Sequence, residues 1–216
     1  MFCFRRLPSA PDEIYSSNLN TLYLGHALWY PEPHVTGEVQ IGDVGFIRCG
    51  AFVRLFNLDT SAPEKKVKFW PKPFENFEPL PPDVLQVDTR SSPLVPNHYC
   101  SDGVESREIQ ASADATIGAG VSATLSMEYI CKGAQGAVLV LQSKAYDEAL
   151  FENNNFKTYI IRDHDKWFSY ARNNLGQAVQ QEDITVVSGW VKTEANWAAT
   201  AFNNTSSRFG ASLKGS

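Results

Sequence analysis

Nowhere does the sequence contain an apolar run approaching the ~20 residues of a membrane-spanning helix. Its start, "MFCFRRLPSAPDE", has two arginines but no apolar core of signal-peptide length behind them. A helical membrane protein and a secreted protein are both disfavoured, and a cytoplasmic chain is expected. Cysteine is scarce: Cys3, Cys49, Cys100 and Cys131 stand singly at wide, irregular spacing. That pattern argues against a disulfide scaffold and a C-x-x-C metal site, and predicts free thiols. Nineteen basic against 24 acidic residues give a net charge of -5 without long runs of either sign, so no nucleic-acid footprint is visible. "IGDVG" and "IGAGVS" contain glycines without the full spacing of a dinucleotide or phosphate cradle, and read as turns. His26, His34, His98 and His164 are scattered, with no ligand partner at metal spacing on a shared element. No catalytic residue, metal or cofactor is expected. The sequons at Asn203 and Asn204 matter only after secretion.

What is present suffices for an ordinary core: 216 residues, 43% of them apolar. The expected fold is α+β, mainly a twisted antiparallel β-sheet with one long and one or two short peripheral helices. A single domain over 1–216 is expected, with a flexible segment at 1–13, a proline-rich loop at 60–83 and a flexible tail at 205–216. Ile14 to Trp29 reads as a short element leading into a strand. Glu38 to Asn57 carries three β-prone bursts separated by "GD" and "CG", the marks of a small meander. One strand is expected at Val84 to Val87 and a buried one at Ala137 to Leu141. Ser143 is placed to cap a short helix from Lys144 to Phe151. Phe156, Tyr159, Ile160, Trp167 and Ala171 recur at helical steps, predicting the best helix over Phe156 to Asn173. Its solvated face would carry Arg162, Asp163, Asp165, Lys166 and Arg172. "DITVVSGWVKTEANWAATAFNN" predicts two strands turning around Thr193 to Asn196.

The most informative stretch is 109 to 131, where apolar and small residues occupy the odd positions throughout: Ile109, Ala111, Ala113, Ala115, Ile117, Val121, Ala123, Leu125, Met127 and Tyr129 among them. At ~3.3 Å per residue one unbroken strand of this length would exceed 70 Å, so it must turn. Gly118-Ala119-Gly120 is the natural place, because a three-residue loop pairing Ile117 with Val121 keeps the two arms in phase. Each arm then matches the ~9–11 residues of a bilayer-crossing β-strand. An antiparallel hairpin in a soluble sheet produces the same alternation. The alanine-rich apolar face, and the other face's lack of lysine and arginine, favour the membrane-inserting hairpin, with Asp114 and Glu128 facing a lumen or an interface.

Three other constellations compete. "NHYCSDG" sets His98 two positions from Cys100 in a loop, a thiol-nucleophile reading that makes a Cys/His hydrolase the third possibility. Trp29, Trp70, Trp190 and Trp197 would serve a soluble protein- or ligand-binding interaction module, although isolated aromatics belong more often to cores. "RDHDKW" around His164 and the adjacent carboxylate pairs are surface charges, since neighbouring residues point apart.

Through "ALWYPEP", "VQIGDVGFI", "GAFVRLFN", "GAVLVL", "HDKWF" and "VVSGWVKT" the chain resembles an uncharacterised protein family of mushroom-forming fungi, a likeness that implies nothing about chemistry. The order of features also resembles the gasdermin pore-forming domain. "GDVGFIRCGAFVRLFNL" is similar to its early strand pair, "VKFWPKPF" to the aromatic-basic loop that follows, 109–131 to the inserting strands, and "DITVVSGWVKT" to a late strand. That resemblance implies a twisted antiparallel sheet that oligomerises and refolds hairpins into a membrane barrel. The net charge of -5 departs from the basic surface usual there; the nearest cationic cluster is Lys65, Lys66, Lys68 and Lys72, which would meet lipid headgroups. The chain also lacks room for the inhibitory domain usual in animal members. The expectation is a non-enzymatic, membrane-active cell-death or defence protein, cytoplasmic until activated. Its partners would be membrane lipid and further copies of itself or a related protein, without nucleic acid.

Overall fold

The computed structural model describes residues 10–59, 77–81, 84–91, 93–109, 126–151, 153–194, 196–203 and 208–212. In chain order the elements are α1 (Pro11–Leu19), β1 (Asp43–Arg48), β2 (Ala51–Asn57), β3 (Val87–Ser91), β4 (Asn97–Cys100), β5 (Val104–Ile109), β6 (Ser126–Cys131), β7 (Gly136–Leu141), β8 (Ala145–Leu150), α2 (Asn154–Ser169), β9 (Thr185–Val186), β10 (Gly189–Thr193), β11 (Trp197–Phe202) and β12 (Arg208–Ser212). The fold is α+β, and every strand pairing among the described residues is antiparallel. Two compact units divide the chain: Met1–Ala27, Pro96–Gln142 and Trp197–Ser216 form the first, Leu28–Val95 and Ser143–Asn196 the second. Both are discontinuous, which is why no linker stands out in the sequence.

The second unit is built around the β1/β2 hairpin. Cys49 and Gly50 join the strands at φ of 49° and 78°, and two left-handed residues give the turn whose twist matches that of paired strands. β9 lies on the other side of β1, and the order β2-β1-β9 forms one sheet. The register slips between Val44, which faces Phe56, and Gly45, which faces Arg54, so Leu55 is an extra residue in a β-bulge. Val44, Phe46, Val53, Leu55 and Phe56 point into a core that α2 closes with Phe156, Tyr159, Trp167 and, beyond it, Tyr170. The Asn153 side chain caps α2, accepting a hydrogen bond from the Asn155 N–H at 2.8 Å. Phe56 meets Trp167 and Tyr170 edge-on, with ring centroids 6.1 and 5.9 Å away. That geometry adds to the burial of each ring. A second sheet of this unit has the order β10-β8-β3.

In the first unit, Pro11 opens α1 and the Glu13 carboxylate accepts from the Ala10 N–H at 3.2 Å. Ile14, Tyr15 and Leu19 are buried, and α1 packs on β7 and β11. The sheet order is β11-β7-β4 for one sheet and β12-β6-β5 for the other. Val138, Val140 and Phe202 of the first join Val104, Tyr129 and Cys131 of the second in one apolar core.

Several sequence expectations are corrected. The first element is a helix with no strand after it until Asp43, and it takes in residues 11–13 of the segment expected to be flexible. The meander is a two-stranded hairpin, because residues 38–41 are held by side-chain bonds rather than by a ladder. The strand expected at 84–87 begins only at Val87. Lys144 to Phe151, expected as a helix, contains β8: Ala145, Glu148 and Ala149 favour helix, but a strand paired on both sides, with β10 and β3, gains more than that weak preference. The strands around 193–196 are present as β10 and β11, yet they pair with β8 and β7 rather than with each other. Arg208 to Ser212, placed in the tail, pairs with β6. The helix expected at 156–173 is present as α2, continued by a π-turn over Tyr170–Asn174, but Asp163 is buried rather than solvated.

Candidate functional site

The base of the expected inserting hairpin is described. β5 and β6 pair antiparallel from Val104↔Cys131 to Ile109↔Ser126. Residues 110–125 therefore connect two strands already paired at their roots. The register differs from the in-phase hairpin expected with a loop at 118–120, which would set Ile109 opposite Tyr129. Parity therefore shifts between the arms, and Met127, Tyr129 and Cys131 share a face with Val104, Ser106 and Glu108. Tyr129 is 1% exposed, and Met127 packs on the same core partly buried. Ala111, Ala113, Ala115, Ile117, Val121, Ala123 and Leu125 lie outside the described residues, as do Lys65, Lys66, Lys68, Lys72 and Trp70; of Ile109 only the backbone position is described.

Over this root sits a polar contact that sequence reasoning missed. His98 and Cys100 are on β4, a strand rather than a loop, and alternate residues of a strand share one face. His98 stands opposite Val140 and Cys100 opposite Val138. The His98 Nδ1 is hydrogen-bonded to the Tyr129 hydroxyl, with ring centroids 5.8 Å apart. Burial pushes the Tyr129 hydroxyl up to about 12, and the Cys100 charge adds to this, so the phenol keeps its proton. Burial also pushes the Cys100 thiol up, opposed by a hydrogen bond with Ser106. An activated nucleophile needs the opposite shift. His98 lies about 7 Å along the strand from Cys100 and spends Nδ1 on Tyr129. The geometry is that of a pinned strand rather than a catalytic pair.

The second unit holds two charged clusters. Asp43 and Arg54 form an ion pair at 2.6 Å with exposures of 0% and 2%. Asp43 also accepts from Asn57 Nδ2 at 2.7 Å and from the Gln40 N–H at 2.7 Å. The bulge at Leu55 makes this possible, because it brings Arg54 and Asn57, three residues apart, to the same face as Asp43. Arg54 Nη2 donates to the Glu38 carbonyl, and the Arg54 N–H to Thr36 Oγ1 at 3.2 Å, so this hub ties residues 36–43 to β2. Burial pushes the Asp43 carboxyl up, and the Arg54 charge with the Arg54, Asn57 and Gln40 hydrogen bonds opposes it. On α2, Asp163 accepts from Arg162 Nη2 and Lys166 Nζ, each at 2.6 Å, and Arg162 continues to Glu78 at 3.0 Å. Burial alone would raise this carboxyl; the bonds and charges of Arg162 and Lys166 outweigh it and hold it below the usual range. In both clusters the buried carboxylate is held by several partners, as in fasteners of the fold, while Arg54 Nε meets Asp43 as an ion pair without hydrogen-bond geometry.

Of the aromatics, Trp29, Trp190 and Trp197 are half-buried. Lys192 lies 4.4 Å over the Trp190 ring. Among the described residues no three His, Cys, Asp or Glu side chains gather where they could hold a metal ion, and no helix is long and apolar enough to cross a membrane. The latter bears on helices alone and leaves crossing by strands open. Compared with known proteins, the chain matches no family model, no curated protein and no solved structure.

Proposed function

We propose that the chain is a non-enzymatic, membrane-active protein of the pore-forming kind that serves cell death or defence, inserting the hairpin rooted in β5 and β6. The observation that carries the reading is the antiparallel pairing of those strands up to Ile109↔Ser126, which roots both ends of the segment 110–125, whose sequence alternates apolar and polar residues with one ionisable side chain, Asp114; because this register sets the odd positions of the two arms on opposite faces, insertion with a single apolar face requires a change of register. Lipid headgroups meeting Lys65, Lys66, Lys68 and Lys72, and self-assembly or a related partner protein, belong to the same proposal.

Dye release from vesicles of phosphatidylcholine, alone and mixed with phosphatidylserine, tests it. Wild-type protein is expected to release dye and Leu125→Asp to abolish release, because a carboxylate facing lipid at mid-bilayer costs up to about 3 kcal/mol. Equal release by both would remove the hairpin from the mechanism. Absence of release and of lipid binding under all conditions would turn attention to a second reading, an interaction module. Tyr23 favours that reading: it is 91% exposed and held at φ 56°, a left-handed conformation unfavourable for an aromatic residue.

A further inference from the structure

β5 ends its sheet, in the order β12-β6-β5, and among the described residues no strand pairs with its outer edge. The hydrogen bond from the Lys132 N–H to the Gly103 carbonyl, at 2.8 Å, fixes which backbone groups that edge presents. Bonded pairs alternate with unbonded ones along an antiparallel ladder. Glu105 and Arg107 therefore bond inward to β6, while the N–H and C=O of Ser106 and Glu108 point outward. Val104 is the limit of the edge, because its N–H already donates to the Ser101 carbonyl at 3.1 Å, although its own carbonyl points outward. Residues 105–108 are all exposed, so the edge is open to solvent from both faces of the strand. Two usual guards of a bare edge, a proline and a bulge, are absent: β5 pairs with β6 in unbroken register from Val104 to Ile109.

Charge is the remaining guard, and here it selects a partner. Consider two copies of β5 lying antiparallel about a two-fold axis. An axis at residue 105 sets Glu105 against Glu105, one at 107 sets Arg107 against Arg107, and one at 108 sets Glu108 against Glu108. Like charges directly opposite are destabilising. An axis at Val104 meets its occupied N–H, and an axis between residues matches outward groups of one copy with inward groups of the other. Only an axis at Ser106 brings opposite charges together, with Glu105 of each copy facing Arg107 of the other. The same axis suits the backbone, since each Ser106 N–H meets the other Ser106 carbonyl and each Glu108 N–H the other Val104 carbonyl. Arg107 already stands opposite Glu128, and Glu105 is ion-paired with Lys132. Pairing thus sets each of them between two opposite charges.

We infer that the outer edge of β5 is a self-association surface, on which a second copy of this chain docks with Ser106 on the two-fold axis and Glu105 and Arg107 setting the register. The two β12-β6-β5 sheets become one continuous sheet, three strands from each copy. Such an interface is the same patch on both partners and closes at two copies. It gives the self-assembly proposed above a surface, yet it does not rest on membrane activity and is tested without lipid.

Sedimentation of the full chain from about 10 μM to about 1 mM tests it, because so short an edge belongs to the weak class of interfaces, with an expected dissociation constant on the order of 0.1 mM. Glu105→Arg and Arg107→Glu should each weaken association about tenfold or more, since each sets like charges opposite on both sides of the axis. The double variant should recover wild-type association. An equimolar mixture of the two single variants should associate where neither does alone, because their heterodimer joins arginine to glutamate at both pairs. Circular dichroism checks that every variant is folded. In hydrogen exchange, the Ser106 and Glu108 amides should slow as concentration rises, while those of Glu105 and Arg107, bonded inward, keep their rates. A wild-type chain that stays monomeric at about 1 mM, single variants that associate like wild type, or a mixture that fails to associate overturns the inference. Association that follows the charge swap, with no dye release from any vesicle, leaves the edge standing and removes the membrane reading. Dye release by a chain that fails these association tests does the reverse.

Discussion

Asp43 has no exposure to solvent and Arg54 almost none, so each depends on the other for a charge that burial penalises. Removing either partner strands the other, but the two strandings differ. An arginine cannot shed its proton at accessible pH, so Asp43→Asn leaves a buried charge, with an expected cost of about 3–5 kcal/mol in urea unfolding. A carboxyl that burial already pushes upwards can take up a proton instead. With its pKa raised in the folded state, that group favours folding below the unfolded pKa and loses this contribution as pH rises through the folded value. Arg54→Met should therefore be milder at pH about 5 than at about 8, whereas Asp43→Asn should show no such easing. Asp163 has the opposite sign. Its carboxyl is held low by Arg162 and Lys166, so it stabilises the fold above the unfolded value of about 3.9 and ceases to as pH falls through the folded one. Asp163→Asn should lower the urea midpoint at neutral pH, and the gap to wild type should close as pH falls below about 4.

At the scale of elements, the β1/β2 hairpin depends on a residue without a side chain. A Cβ on Gly45 would overlap the Val53 carbonyl and stand 2.7 Å from the Phe52 ring, and both neighbours are fixed by the ladder. Gly45→Ala should either force the bulge to move, breaking the hub that joins Asp43 to Arg54 and Asn57, or cost the hairpin outright. A loss of about 2–4 kcal/mol in thermal or urea unfolding is expected, and an unchanged midpoint would mean that the register is not as described. α2, the β1/β2 turn and β7 were legible because each carries a local pattern: helical recurrence of Phe156, Tyr159 and Trp167, a "CG" turn between apolar bursts, an uninterrupted run from Ala137 to Leu141. β8 was not, because "AYDEAL" has no alternation and owes its conformation to partners on both flanks. Asp163 was misplaced for a related reason, since the partners that let a carboxylate be buried do not show in a hydropathy pattern.

For the whole molecule, the antiparallel α+β character could be read in advance, while the pairing of strands could not. β10 and β11 follow one another in sequence yet serve different sheets in different units. The candidate site was legible in part. The alternation over 109–131 pointed to a hairpin, and β5 and β6 form its root. The His98–Tyr129 bond joins residues 31 apart in sequence, and neither residue marks the other as its partner. The proposed membrane-active reading is tested at this scale too, by the expected loss of dye release in Leu125→Asp.

The chain enters and leaves each unit more than once, with crossings near residues 27, 95, 142 and 196. During vectorial synthesis the first unit has α1 and β4 to β7 available early, but β11, which flanks β7, and β12, which flanks β6, emerge only after the second unit's last strand. Until then β6 has one bare edge, and β7, the most apolar of the described strands, has another. A nascent chain stalled between residues 142 and 196 would thus expose the hairpin root without its final covering strands. The timing of translation, as well as the folded contacts, then determines how long β6 and β7 carry unpaired strand edges.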